Sequence, residues 1–149
     1  MRFSIDTNIL VYSVQPEDIR SRLASRIVAD AVVVGAVLTN QVIGEFLNVA
    51  SRRSLVPLDQ ARQTAADWSL LLPIAPTSID HLIAASMLSE RHRLQFWDAL
   101  IITVSRAAGA DCLLTEDMQD GAEVGGVRLV NPFNPINAEL LDELLRSEP

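Results

Sequence analysis

The sequence has 149 residues and a net charge of −7 at pH 7, and all 12 of its basic residues are arginines. Without lysine, the protein cannot form a Schiff base or supply the lysine of a phosphate-binding loop. The acidic balance also argues against a general basic surface for nucleic acid, so any such binding needs local arginines or bound cations.

Size and composition predict one domain over residues 1–149, because hydrophobic residues make up 49% and charged residues 21% of the chain. The N-terminus lacks the pattern of a secretory signal, and no apolar run reaches the roughly 18–20 residues of a membrane span. The single cysteine, Cys112, excludes an internal disulfide and suits a reducing compartment. We therefore expect a cytoplasmic protein with no membrane partner.

The first half of the chain predicts two strands, each followed by a helix. In chain order we expect a strand at 2–5, a helix at 18–31, a strand at 32–38 ("VVVGAVL") and a helix that opens at Thr39 and Asn40. The valine run is β-branched and short, which is typical of a strand buried on both faces.

The second half continues this alternation. We expect a helix at 58–71, a weak strand at 72–76, a helix from a capping box at 77–80 to about residue 90, a helix at 96–108, strands at 112–114 and 127–130, and an amphipathic helix at 137–146. Strands that alternate with helices form a parallel sheet covered on both faces. The predicted class is therefore α/β, with three α/β/α layers and about five strands.

Four acids are predicted to lie at the carboxyl ends of these strands, where such sheets bind their ligands. Asp6 follows the first strand, and Glu45 lies in the first turns of the helix after the second strand. Asp98 lies near the start of the 96–108 helix, and Asp117 follows the fourth strand in "LLTED". Each acid alone also fits a helix cap or a partner of the helix dipole. Together they predict a shared acidic site.

Converging carboxylates need compensation, since each close pair repels by about 4 kcal/mol at an effective dielectric near 20. Mg²⁺ or Mn²⁺ would supply it, with one or two ions held by carboxylates and water. Two such ions can activate a water and stabilise the leaving oxygen of a phosphodiester. Zinc is not favoured, because His81, His92 and Cys112 have no ligand spacing.

Several segments together resemble the PIN-domain ribonucleases, most nearly the VapC toxins of prokaryotic toxin–antitoxin pairs. These segments are "IDTNIL", "NQVIGEFLNV" and "FWDALIITVSRAAGADCLLTED", and the resemblance covers essentially the whole chain. It implies a parallel sheet of order 3-2-1-4-5, a Mg²⁺- or Mn²⁺-dependent endoribonuclease, a homodimer, and an antitoxin whose tail covers the acidic pocket. The chain departs from many relatives in having no lysine.

By position, the resemblance identifies Asp6, Glu45, Asp98 and Asp117 as the catalytic, metal-binding quartet. Asn8 corresponds to the polar residue after the first acid, and Thr115 to the hydroxyl before the last. Within "TEDMQD", Glu116 and Asp120 remain alternatives to Asp117 as the fourth acid. The candidate RNA contacts are four arginines near helix ends, where cations also stabilise the dipole: Arg52, Arg53, Arg91 and Arg93.

Two other functions compete with this hypothesis. A phosphotransfer enzyme of the haloacid-dehalogenase or response-regulator kind also places an Asp after its first strand, but both families rely on a lysine that this chain lacks. A non-catalytic module could use the acidic pocket to bind an arginine-rich peptide. Metal-dependent cleavage of RNA separates the nuclease from this binding module.

Overall fold

The computed structural model describes residues 1–146, which form six strands, seven α-helices and one 3-10 helix at Pro135–Asn137. The strands are β1 (Phe3–Ile5), β2 (Leu38–Thr39), β3 (Ile74–Ala75), β4 (Cys112–Leu114), β5 (Glu123–Val124) and β6 (Val127–Val130). The helices are α1 (Thr7–Ser13), α2 (Ile19–Val34), α3 (Asn40–Arg53), α4 (Leu58–Leu71), α5 (Ile79–His92), α6 (Phe96–Ala107) and α7 (Ala138–Leu144).

The strands form a mostly parallel sheet. Parallel pairing joins β1 to β4 and β4 to β6, and β5 runs antiparallel along the outer edge of β6. On the other side, β2 pairs in parallel with β3, and a bridge between Ser4 and Val37 joins this pair to β1. The order β3-β2-β1-β4-β6 confirms the predicted order 3-2-1-4-5, with β5 as an additional edge strand.

Two apolar clusters hold the helices to the sheet. The larger one contains strand residues such as Phe3 and Leu113 together with residues of α1 to α4, among them Phe46. The smaller one contains Val37 and residues of α5 and α6, including Ala85. The α/β class predicted from the alternation of elements is confirmed. None of the helices within residues 1–146 combines the length and apolarity that a bilayer crossing requires.

The strand predicted at 32–38 is wrong for most of its length, because α2 continues to Val34. Gly35 ends this helix in the left-handed conformation, with φ at 72°, and the following strand β2 has only two residues. The buried residues Ala24, Ile27 and Ala31 give α2 a continuous packing face. Tertiary packing therefore overrides the strand preference of the valines.

Three smaller features differ from the prediction. β5 was missed, although the turn between Val124 and Val127 contains two glycines, both with positive φ, as in tight hairpins. The short helix α1 directly after Asp6 was not among the predicted elements, although a helix cap was one interpretation of Asp6. The capping box of α5 joins Ser78 to His81, one residue later than predicted.

Candidate functional site

The four predicted acids line one cavity of about 290 Å³. Asp6 follows β1, Glu45 lies in the second turn of α3, Asp98 lies in the first turn of α6, and Asp117 follows β4. Asn8 also lines the cavity. The acids come from four separate elements, and the parallel pairing of β1 with β4 places two of them at the same edge of the sheet.

Asp6 is the most buried of the four acids, with 6% of its surface exposed. One carboxylate oxygen accepts the Thr7 N–H at 2.7 Å, so Asp6 also caps α1. The other oxygen accepts the Thr115 hydroxyl at 2.7 Å. The sheet explains this second contact, because Ile5 pairs with Leu114 and the next residue of each strand leaves the sheet beside the other.

Burial raises the pKa of Asp6 to about 6. The hydrogen bonds from Thr115 and Thr7 lower this pKa, whereas the charges of Asp117 and Asp98 raise it further. Asp6 is therefore a desolvated carboxyl group whose charge is opposed by two of the other acids. The sequence suggested two interpretations of Asp6, a helix cap and a member of an acidic cluster. The structure shows that Asp6 is both.

Glu45 is held by two side chains that the sequence analysis did not identify. The Thr7 hydroxyl donates to one of its oxygens, and the Gln41 amide donates to the other at 2.8 Å. The same amide donates to the Trp97 carbonyl at 3.1 Å and so links α3 to α6. The spacing of Gln41, four residues before Glu45 on one helix, was the available signal. The Gln41 Oε1 atom is buried without a partner in the described part of the chain.

Asp98 and Asp117 complete the cluster. Burial, followed by the charges of Asp117 and Glu45, raises the pKa of Asp98. Burial and the neighbouring Glu116 raise the pKa of Asp117. The Asn8 amide donates to the Asp117 carboxylate, and the Asp117 N–H donates to the Thr115 hydroxyl at 3.3 Å. One threonine hydroxyl therefore contacts both Asp6 and Asp117.

The two alternatives to Asp117 have other contacts. Glu116 accepts the Tyr12 hydroxyl and lies 3.5 Å from the Arg20 guanidinium. Asp120 accepts the Asn131 N–H at 2.9 Å, as well as the side-chain amides of Asn134 at 2.8 Å and Asn137 at 2.9 Å. Neither residue lines the 290 Å³ cavity. The geometry therefore favours Asp117 among the three.

Hydrogen bonds determine the direction of the pKa shift of Asp120. Burial raises the pKa of Asp120, but the hydrogen bonds from Asn131, Asn134 and Asn137 outweigh this effect and hold that pKa below its usual value. This direction is opposite to that of Asp6, Asp98 and Asp117. Asp120 is thus an ionised anchor for the loop after β6.

The four predicted arginines lie outside the cavity lining. Arg52 and Arg53 are exposed in the last turn of α3, and Arg91 is exposed in the last turn of α5. Arg93 ends α5 in the left-handed conformation, with φ at 54°. Arg52 is two turns beyond Glu45 on the same helix face. It therefore extends the face that carries the acid, whereas Arg91 borders a separate cavity of about 650 Å³.

The donor set fits a hard divalent cation in its chemistry. Carboxylate, amide and hydroxyl oxygens are the ligands that Mg²⁺ and Mn²⁺ accept, and Mg²⁺ binds through one or two carboxylates while keeping several waters. Over residues 1–146, no three His, Cys, Asp or Glu side chains are grouped closely enough to hold one ion directly. The arrangement thus provides an acidic, water-accessible cavity, and not a closed cage of protein ligands.

A parallel sheet with acids gathered at the carboxyl ends of its strands defines a class of proteins suited to divalent-cation chemistry. Residues 4–119 match the family described as the PIN domain, and the chain belongs to this family. The family resemblance found in the sequence motifs is thereby confirmed. No curated protein matches the chain.

Two solved structures share this fold. The Mycobacterium tuberculosis toxin VapC20, described as cleaving the sarcin–ricin loop, is 23% identical with a TM-score of 0.64, over 77% of this chain and 89% of its own. A chain of a toxin–antitoxin complex from Klebsiella pneumoniae is 21% identical with a TM-score of 0.66, over 87% of this chain and 97% of its own. These similarities agree with the fold deduced from the strand order.

Proposed function

We propose that the protein is a metal-dependent endoribonuclease that hydrolyses RNA phosphodiester bonds with water as the nucleophile. The observation that carries this proposal is the single cavity, lined by Asp6, Glu45, Asp98 and Asp117, in a chain of the PIN-domain family. The raised pKa values of Asp6, Asp98 and Asp117 support it. Burial is the main cause for all three, and neighbouring acids of the cavity raise the pKa values of Asp6 and Asp98 further, so a bound cation would stabilise the charged carboxylates.

The residues divide into ligands and supports. Asp6, Asp98 and Asp117 would bind one or two Mg²⁺ or Mn²⁺ ions, some of them through bound water, and such ions would lower the pKa of that water and stabilise negative charge on a phosphate. Glu45 would be a further ligand or would orient the attacking water. Thr115 and Asn8 fix the orientations of Asp6 and Asp117 through the hydrogen bonds described above.

We also propose that the protein is the toxin of a toxin–antitoxin pair and forms a homodimer. The fold that it shares with VapC20 and with the Klebsiella complex supports the first part. The acidic cavity is complementary to a basic antitoxin segment. An exposed apolar stripe on α5, formed by Ile79, Ile83 and Met87, supports the second part, since a second copy would remove it from water.

Cleavage of labelled RNA by the purified protein tests the catalytic proposal. We expect cleavage in Mg²⁺ or Mn²⁺ and none in chelator, with activity restored when the metal is returned. An arginine-rich peptide should inhibit cleavage by occupying the acidic cavity. Tight binding of such a peptide without cleavage of any RNA, in either metal, would instead identify a non-catalytic binding module.

Substitutions of Asp117 and Asp120 should have different effects, one on cleavage and the other on stability. Asp120→Ala is expected to lower the free energy of unfolding by about 1–3 kcal/mol, because three donors lose their acceptor. Cleavage per folded molecule should remain. Asp117→Asn should keep its stability and lose most cleavage. Urea denaturation and RNA cleavage of both variants measure this contrast, and loss of cleavage by folded Asp120→Ala alone would exchange the two assignments.

A further inference from the structure

Trp97 is the one aromatic residue that is exposed in the described part of the chain, with 55% of its surface accessible. The other six aromatic residues are buried or half-buried, including the second tryptophan, Trp68, at 6%. Tryptophan is normally largely buried. Its exposure beside the candidate site therefore needs an explanation.

Trp97 lies at the acidic cavity. Trp97 lines it together with Asp6, Asp98 and Asp117, and it directly precedes Asp98 on α6. Its ring packs edge-on against Phe96, with 5.0 Å between ring centroids and an interplanar angle of 80°. Its carbonyl accepts the Gln41 amide that also holds Glu45. The Trp97 ring is thus held by Phe96, and the Trp97 backbone is linked to Glu45 through the shared Gln41 donor.

The charge of the cavity makes an uncharged contact useful. Its acids repel phosphate, and the four candidate arginines lie outside its lining. Stacking of a nucleobase on an aromatic ring does not depend on the negative charge of the cavity. Every base presents a flat face that can stack in this way. A base in a duplex is already stacked on its neighbours, so such a platform selects unpaired RNA.

We propose that Trp97 is the stacking platform for an unpaired nucleobase next to the scissile phosphate of the RNA substrate. This inference rests on the proposed endoribonuclease function and names a residue that would contact the RNA beside the cleaved bond. Trp97 contributes binding and register, whereas the neighbouring acids act on the phosphate. It is a specificity-determining residue that contacts the substrate.

Three variants test the proposal on single-stranded RNA. Trp97→Leu keeps an apolar side chain without an aromatic face, Trp97→Phe keeps the face, and Leu70→Ala removes an exposed apolar side chain on α4 as the matched control. With single-stranded RNA, Trp97→Leu should raise KM about 5- to 150-fold, the range of one stacked base. Trp97→Phe should retain most of the affinity, and Leu70→Ala all of it.

An abasic scan of the same RNA identifies the stacked base. At one position beside the cleaved bond, removal of the base should weaken the wild type to the level of Trp97→Leu, and that variant should show no further loss. Equal losses in wild type and variant at every position would overturn the proposal. So would a Trp97→Leu defect that accompanies dissociation of a dimer and does not depend on the base.

Tryptophan fluorescence separates this inference from the proposed function. A single-stranded oligonucleotide should quench the wild type, and it should not quench Trp97→Phe, whose remaining indole is the buried Trp68. Quenching of wild type without cleavage in any metal would refute the nuclease and retain the stacking platform. Cleavage without selective quenching, or neither effect, would refute the platform.

Discussion

Asp98→Asn is expected to reduce the rate of RNA cleavage by about 100-fold or more, the range that loss of a group acting in the transition state produces. The substitution removes one negative charge from the cavity and keeps the size of the side chain. No hydrogen bond contributes to the pKa shift of Asp98, which arises from burial and from Asp117 and Glu45. Replacing Asp98 by asparagine therefore breaks no hydrogen bond that shifts the pKa of Asp98. We expect the variant to fold normally.

Asp80→Asn is the matched control for this variant. Asp80 is an exposed acid in the first turn of α5, as Asp98 is in the first turn of α6. A general effect of acids on helix dipoles would act on both variants alike. We expect wild-type cleavage from Asp80→Asn, measured in Mg²⁺ with nuclease-free preparations. Cleavage at the wild-type rate by Asp98→Asn would remove Asp98 from the proposed site.

The metal-free protein is expected to lose stability as pH rises. The folded state holds the Asp6 proton until pH about 6, whereas the unfolded state releases it near the ordinary aspartate pKa of 3.8. The full difference corresponds to about 3 kcal/mol, absent below the unfolded pKa and complete above the folded one. Roughly half of it, about 1–2 kcal/mol, lies between about pH 5 and about pH 7.5. Asp98 and Asp117 act in the same direction.

Urea denaturation in chelator at these two pH values measures the effect. Asp6→Asn should remove most of the slope, because asparagine does not titrate there. A wild type that gains stability over this interval, or a variant that keeps the full slope, would contradict the raised pKa of Asp6. Asp120 does not obscure the comparison, since its lowered pKa affects stability only at more acidic pH.

Divalent cations should restore the stability that the metal-free protein loses as pH rises. At a concentration 100 times the dissociation constant, Mn²⁺ or Mg²⁺ stabilises the folded state by about 2.7 kcal/mol, or about 5–10 °C in Tm for a chain of this size. Asp98→Asn should gain less from the metal, and in chelator it should melt at or slightly above the wild type. Sodium chloride at matched ionic strength is the control for screening. An equal shift of Tm with sodium would argue against a specific site.

The positions of the acids at strand ends were predictable from short-range signals, whereas the sheet order was implied by the resemblance to the PIN-domain family. Asp6 and Asp117 follow short apolar strands, and the ends of parallel strands meet at one edge whatever the loops do. The valines of α2 were misassigned because three β-branched residues look the same in a buried strand and in a packed helix. Only the contacts of Ala24, Ile27 and Ala31 with the rest of the core decide between them.

The supports of the acids were harder to predict than the acids themselves. Thr7 and Gln41 reach Glu45 from different elements, and neither residue type is distinctive in sequence. The motif favoured Asp117 within "TEDMQD", but it did not exclude Glu116 and Asp120, because the contacts that separate these acids come from side chains far away in the chain. Asn134 and Asn137 hold Asp120, while Tyr12 and Arg20 hold Glu116.

The double placement of Asp6, as cap of α1 and as member of the acidic cluster, affects how genetic screens are interpreted. A selection for inactive alleles would recover substitutions of Asp6 for two unrelated reasons, a poorly capped helix and an incomplete active site. The frequency of such alleles therefore overstates the catalytic weight of the residue. Asp98 caps no helix within residues 1–146, so alleles at Asp98 would report on the proposed chemistry without a contribution from lost capping. Protein abundance measured alongside activity would distinguish the two origins at Asp6.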